Sequence, residues 1–164
     1  MRIAFAAMGL VAIILAQPPS AGAQRAVVLV RHADRLDSSP DSPLSRAGEA
    51  RALRLASLLL DVGITAIYTS EFQRTIKTAE PLALALKVAP MRWPAADREG
   101  LFRRLRSARA DDVVLMVGHG ESVPALMKAY GYQEIVVIDP EDYSDLFVLV
   151  PRENGPPVVL RLKY

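Results

Sequence analysis

The chain has 164 residues, a formal net charge of +2, 51% hydrophobic residues, two histidines and no cysteine. That length sets the expectation of one domain. A disulfide-stapled scaffold and a lipid-modified N-terminal cysteine are excluded, and nothing in so balanced a charge, with no aromatic residues interleaved among the basic ones, argues for nucleic-acid binding.

Residues 1–23 read as an export signal. Arg2 opens the segment, residues 3–16 are apolar, Gln17-Pro18-Pro19-Ser20 breaks any helix, and Ala21-Gly22-Ala23 has the small-x-small form of a cleavage site. An apolar run this short falls below the roughly 20 residues of a membrane span. The expected product is a periplasmic or extracellular domain over residues 24–164, with no stable membrane insertion after cleavage. Loss of Arg2 lowers the formal charge by one, since residues 1–23 contain no acid. The remaining length suffices for a core that buries roughly two-thirds of the unfolded surface.

Ala26-Val27-Val28-Leu29-Val30 is a buried-strand pattern, followed by Arg31-His32-Ala33-Asp34 and a polar, turn-rich loop. Ser45 is a plausible cap for a helix over residues 46–61, with Gly63 just beyond it. A second strand is expected at 64–69 and a helix at 71–86, kinked near Ala79 by Pro81. Residues 88–93 read as a short strand or extended link, and 94–109 as a third helix carrying Arg98, Arg103, Arg104, Arg106 and Arg109. Such a charge run is read first as a solvated face and second as a rim that attracts anionic substrates. The strand pattern Val113-Val114-Leu115-Met116-Val117 runs into Gly118-His119-Gly120, and Ser122 is expected to cap a fourth helix ending before Gly131. Two further strands, 145–150 and 157–163, flank Asn154-Gly155 as a hairpin at the sheet edge. The order β-α-β-α-α-β-α-β-β predicts a three-layer α/β/α sandwich whose sheet is mostly parallel with an antiparallel end.

In open α/β sheets, ligands bind beyond the carboxyl ends of the strands. Both histidines of the chain fall at such ends. Tyr68-Thr69-Ser70 closes the second strand, and Arg74 follows on the first turn of its helix. Arg31, His32, Arg74 and His119 should therefore converge, with Ser70 nearby as a further phosphate-binding residue. Two arginines and two histidines around one point suit a tetrahedral dianion. The guanidinium fork matches phosphate oxygens, and an imidazole nitrogen can attack phosphorus. Adjacent arginines oppose a cation, so no metal and no cofactor is expected.

Leu29-Val30-Arg31-His32-Ala33, Pro43-Leu44-Ser45-Arg46-Ala47-Gly48, Tyr68-Thr69-Ser70-Glu71-Phe72-Gln73-Arg74-Thr75 with Thr78-Ala79, and Val117-Gly118-His119-Gly120 occur in that order across residues 25–130. In these motifs the sequence resembles the histidine phosphatase superfamily, with its phosphoglycerate-mutase-like fold. The resemblance implies that His32 is a nucleophile that becomes phosphorylated, that Arg31, Arg74 and His119 bind and polarise the phosphoryl oxygens, and that water hydrolyses the phosphohistidine. Ala33 replaces the family's frequent glycine. Insertions that build a substrate lid in larger members are missing, so an open, minimal site is expected.

The proton donor is not set by the pattern. Asp34 and Asp97 are the leading expectations, with Glu99 and Glu121 also open, and each of the last three could instead serve a helix start. The expected activity is hydrolysis of small phosphomonoesters. A phosphomutase, a phosphohistidine protein phosphatase and a phosphoryl-binding module without turnover are the alternatives.

Overall fold

A computed structural model describes residues 25–164, so the expected export signal at 1–23 lies outside the described residues. Six strands form one sheet in the order β3-β2-β4-β1-β5-β6. They are β1 (Ala26–Arg31), β2 (Ala66–Thr69), β3 (Met91–Arg92), β4 (Val113–Gly118), β5 (Asp145–Val150) and β6 (Val158–Lys163). The first four pair in parallel, and β5 and β6 close the sheet as an antiparallel hairpin, as the element order predicts.

The alternation of side chains along the central strands splits the core in two. Val28 and Val30 of β1, with Leu115 and Val117 of β4, pack under α1 (Arg46–Leu59) and α2 (Gln73–Leu86). Val27 and Leu29, with Val114 and Met116, face α3 (Arg98–Arg106) and α4 (Ser122–Ala129). Strands buried on both faces must be apolar, which is why Ala26 to Val30 and Val113 to Val117 read as unbroken apolar runs.

Helix ends depart from the expected bounds for local reasons. α1 stops at Leu59, and Gly63 turns the chain at φ 80°. α2 begins at Gln73 rather than residue 71. Its first N–H is capped by Asp41 of the loop between β1 and α1, whose Oδ1 accepts from Gln73 N at 2.7 Å. The helix then continues past Pro81 to Leu86. α3 is shorter than the 94–109 span, because Asp97 caps it by accepting from Gly100 N at 2.9 Å. Ser122 does not cap α4. It is the helix's first residue, and its Oγ instead accepts from His119 N at 2.8 Å.

Candidate active site

The parallel strands β1, β2 and β4 end on one side, and their termini set the site. His32 follows β1 directly and donates its backbone N–H to Gly118 O of β4 at 2.9 Å, so the two histidine-bearing strand ends are locked in register. The rings of His32 and His119 lie 5.4 Å apart. Both histidines and Arg31 are buried. Together with Arg35, Arg74, Glu121, Ile138 and Pro140 they wall an open cleft of about 440 Å³.

The hydrogen bonding of His32 determines its chemistry. Nδ1 lies 2.8 Å from Ala33 O, and a carbonyl can only accept, so Nδ1 carries the proton. In the neutral ring the lone pair is then on Nε2. Burial is the main cause of a pKa held down at about 3, assisted by the charges of His119, Arg31 and Arg74 and outweighing the Ala33 hydrogen bond. The free-base imidazole therefore predominates across the physiological range.

The segment carrying this ring is clamped from two sides. Thr78 Oγ1 of α2 accepts from Ala33 N at 2.9 Å and donates to Arg74 O at 2.7 Å. One buried hydroxyl thus ties the histidine segment to the helix turn that presents Arg74. On the other side, Ser45 N donates to Asp34 O at 2.9 Å. Gly48 makes this approach possible, because a Cβ there would stand 2.2 Å from Asp34 O.

Arg31 is fixed by a loop far along the chain. Its Nη1 donates to Pro140 O at 2.7 Å and Asp139 O at 3.0 Å, and its guanidinium stacks 4.1 Å from the centre of the Tyr143 ring. Arg74 donates from Nη1 to Pro40 O at 2.8 Å and lies 4.2 Å over Phe72. The Nε atoms of both arginines are buried and lack a hydrogen-bond partner among the described residues. A buried N–H of a charged group left unpaired is costly, and both guanidinium groups line the cleft, where phosphoryl oxygens suit their fork of donors. Arg35, which has no ion pair among the described residues, adds a third positive charge to the cleft wall.

His119 Nε2 lies 3.1 Å from Ser70 Oγ, which is 2.8 Å from Thr75 Oγ1, and Thr75 donates to Phe72 O at 2.9 Å. With the Thr75 proton committed to a carbonyl, Ser70 donates to Thr75 and accepts from His119 Nε2–H. Ser70, expected to contact phosphate directly, is thus engaged in orienting His119. Burial, followed by the charge of Arg74, lowers the His119 pKa, while Glu121 and Glu71 oppose that shift.

The two favoured proton donors are engaged elsewhere. The Asp34 carboxylate takes Arg51 Nε at 2.7 Å, and Arg51 also donates to Tyr164 O at 3.2 Å. Burial raises the Asp34 pKa, but the Arg51 hydrogen bond and charge leave it net lowered. Asp97 caps α3 and receives Trp93 Nε1 at 3.2 Å on its other oxygen. Glu99 lines a separate apolar groove between α3 and α4. Of the four carboxylates considered, only Glu121 borders the cleft. Sequence reading did not single out Arg35, Thr78, Tyr143 or the 138–142 cleft wall. Only Arg35, as a basic residue just past the histidine motif, and Thr78, within the helix motif, carried any signal.

A family model for the histidine phosphatase superfamily, branch 1, matches residues 27–101. Escherichia coli GpmB, named a probable phosphoglycerate mutase, is 39% identical over 66 residues, which is 36% of this chain and 31% of that protein. The match therefore spans about a third of the relative's length. Among solved structures, the protein histidine phosphatase SixA in complex with tungstate aligns with a TM-score of 0.66 and 20% identity, covering 84% of this chain and 96% of that one. Mycobacterial glucosyl-3-phosphoglycerate phosphatase with inorganic phosphate aligns with a TM-score of 0.64 and 18% identity, covering 85% and 96%. These structural likenesses establish the phosphoglycerate-mutase-like fold.

Proposed function

The chain belongs to the histidine phosphatase superfamily, and from that premise we propose that it hydrolyses small phosphomonoesters through a phosphohistidine on His32. The observation that carries this reading is the His32 imidazole. Its Nδ1–H is committed to Ala33 O, so the Nε2 lone pair is left in a cleft with Arg31 and Arg74.

The substrate phosphoryl group sits in the cleft between Arg31 and Arg74, whose guanidinium groups hold its oxygens. Nε2 attacks phosphorus, the P–O bond to the leaving group breaks, and the imidazole becomes an N-phosphoryl imidazolium. The Ala33 carbonyl keeps the remaining ring proton and favours the cation that forms. Arg31 and Arg74 stabilise the charge on the equatorial oxygens, a contribution of about 10²–10³-fold per donor in comparable preorganised sites. His119, with Nε2–H held by Ser70, gains a second N–H donor when it is protonated beside the dianion. Water then attacks phosphorus, the P–N bond breaks, and Nε2 recovers its lone pair.

The open cleft favours hydrolysis over a mutase, since a mutase must keep its phosphoenzyme from water. Support for an oxyanion in this fold comes from the tungstate and phosphate bound to the two structural relatives. We further propose export, with residues 1–23 as a cleaved signal, on the strength of their sequence pattern.

The test uses p-nitrophenyl phosphate with chelator present. The wild-type protein should turn over and leave phosphate on His32 after alkaline quench, and His32→Ala should do neither. Turnover in His32→Ala at the wild-type rate would refute the reading. Phosphate binding without turnover or adduct would instead assign a binding module.

A further inference from the structure

We propose that Glu121 is the proton donor to the leaving oxygen, an assignment that rests on the phosphohistidine reading above. A helix-start carboxylate ordinarily accepts from backbone N–H groups of the first turn. Glu121 occupies the N-cap position of α4 yet makes no side-chain cap hydrogen bond. The neighbouring hydroxyl of Ser122 is turned back onto His119 N instead. Among the described residues its carboxylate has no hydrogen-bond or ion-pair partner that would commit it elsewhere, it is solvent-exposed, and it borders the same cleft as His32, Arg74 and His119. Its charge is felt at both Arg74 and His119.

The other carboxylates near the strand ends are engaged. Asp34 is paired with Arg51, Asp97 holds Gly100 N and Trp93 Nε1, and Glu71 accepts from Ala95 N at 2.8 Å. One acidic side chain at the cleft thus stays free to move a proton.

In the first step His32 Nε2 bonds to phosphorus as the ester P–O bond breaks. The carboxyl proton of Glu121 passes to the departing oxygen, which leaves as an alcohol rather than an alkoxide. In the second step the Glu121 carboxylate takes a proton from the water that attacks phosphorus. The P–N bond breaks, phosphate departs, and Glu121 is again protonated. The site is thereby suited to esters of aliphatic alcohols, whose leaving groups need the proton. An aryl phosphate such as p-nitrophenyl phosphate needs it far less.

The experiment compares kcat/KM of the full chain for p-nitrophenyl, phenyl and simple alkyl phosphates in wild type, Glu121→Gln, Glu121→Asp and Asp97→Asn. Glu121→Gln should lose about 10²–10⁴-fold on alkyl phosphates and much less on p-nitrophenyl phosphate, so that the dependence on leaving-group basicity steepens. Glu121→Asp should recover part of the alkyl activity, and Asp97→Asn should keep the wild-type dependence. An equal loss on all three esters in Glu121→Gln, or a steepened dependence in Asp97→Asn, overturns the assignment. Trapping of phosphate on His32 in the wild type, run in parallel, separates the two proposals. Its absence would sink the phosphohistidine reading itself, whereas an adduct with a flat Glu121→Gln profile would sink only the proton donor.

Discussion

Acidification should destabilise this fold through His32 in an amount that can be worked out. In the folded protein the imidazole binds a proton only near pH 3, whereas in the unfolded chain it binds one near 6.5. Between those values the unfolded state holds more protons, so stability rises with pH through that window and is lost as pH falls through it. From about pH 8 to about pH 5 the loss attributable to this one group is about 2 kcal/mol. His119 and the Arg51-paired Asp34 are also shifted down and add loss in the same direction, His119 below its ordinary 6.5 and Asp34 below its ordinary 3.8. The assay is denaturant unfolding at a series of pH values for wild type and for His32→Gln, which keeps a polar side chain and removes the titration. Subtracting the two curves cancels the shared groups. Wild type should lose about 2 kcal/mol more than the variant over that range. Parallel curves would refute the claim that His32 is held as the free base by burial, and with it the account of how the nucleophile is kept unprotonated.

Thr78→Val should cost about 1–3 kcal/mol, because it leaves Ala33 N–H buried without an acceptor, and Thr78→Ser should restore most of that. The same Val variant should lower kcat more than it raises KM, since the hydroxyl joins the nucleophile segment to the Arg74 turn, and steady-state kinetics on the pair of variants checks this. Asp97→Ala should lose about 1 kcal/mol of stability with the α3 cap and shift the fluorescence of the single tryptophan, while turnover stays at the wild-type level below the melting range. Gly118→Ala places a Cβ 2.6 Å from Ser122 Oγ and 2.7 Å from Met116 Cε, so it should cost about 1–3 kcal/mol and reduce kcat by displacing the hydroxyl that holds His119 N. A thermal melt and a single-substrate rate measurement suffice for each of these two.

What could be read from the residues and what could not divide along a physical line. Val27 to Val30 and Val113 to Val117 announce themselves because a strand covered on both faces must be apolar throughout, and the polar residues that end such a run can only be at the sheet's carboxyl edge. Arg31, His32 and His119 were therefore legible, and so was their convergence, since parallel pairing of β1 with β4 aligns Arg31 with Gly118. Contacts made by distant loops were not. Nothing in Asp139-Pro140 suggests that its carbonyls grip Arg31, because a backbone acceptor carries no residue signature and the two positions are over a hundred residues apart. Helix-start residues were legible only as a class. Asp97 and Glu121 occupy equivalent places before α3 and α4, yet one caps its helix and the other does not. The difference lies in the first turn of α4, where Glu121 is already helical at φ −90° and ψ −30°, Val123 N donates to His119 O, and Pro124 has no N–H to be capped. In the same turn Ser122 Oγ accepts from His119 N and so fixes the placement of the histidine. Since Ser122 also limits the space at Gly118, the short run from Gly118 to Ser122 sets the electrophilic side of the pocket and the carboxylate proposed as its acid in one piece of backbone. Each function nonetheless belongs to its own side chain, which makes Ser122→Ala the natural companion to Glu121→Gln. It should weaken oxyanion binding through His119 while leaving the leaving-group dependence shallow, and a steepened dependence there would show that the two functions are not carried by separate side chains.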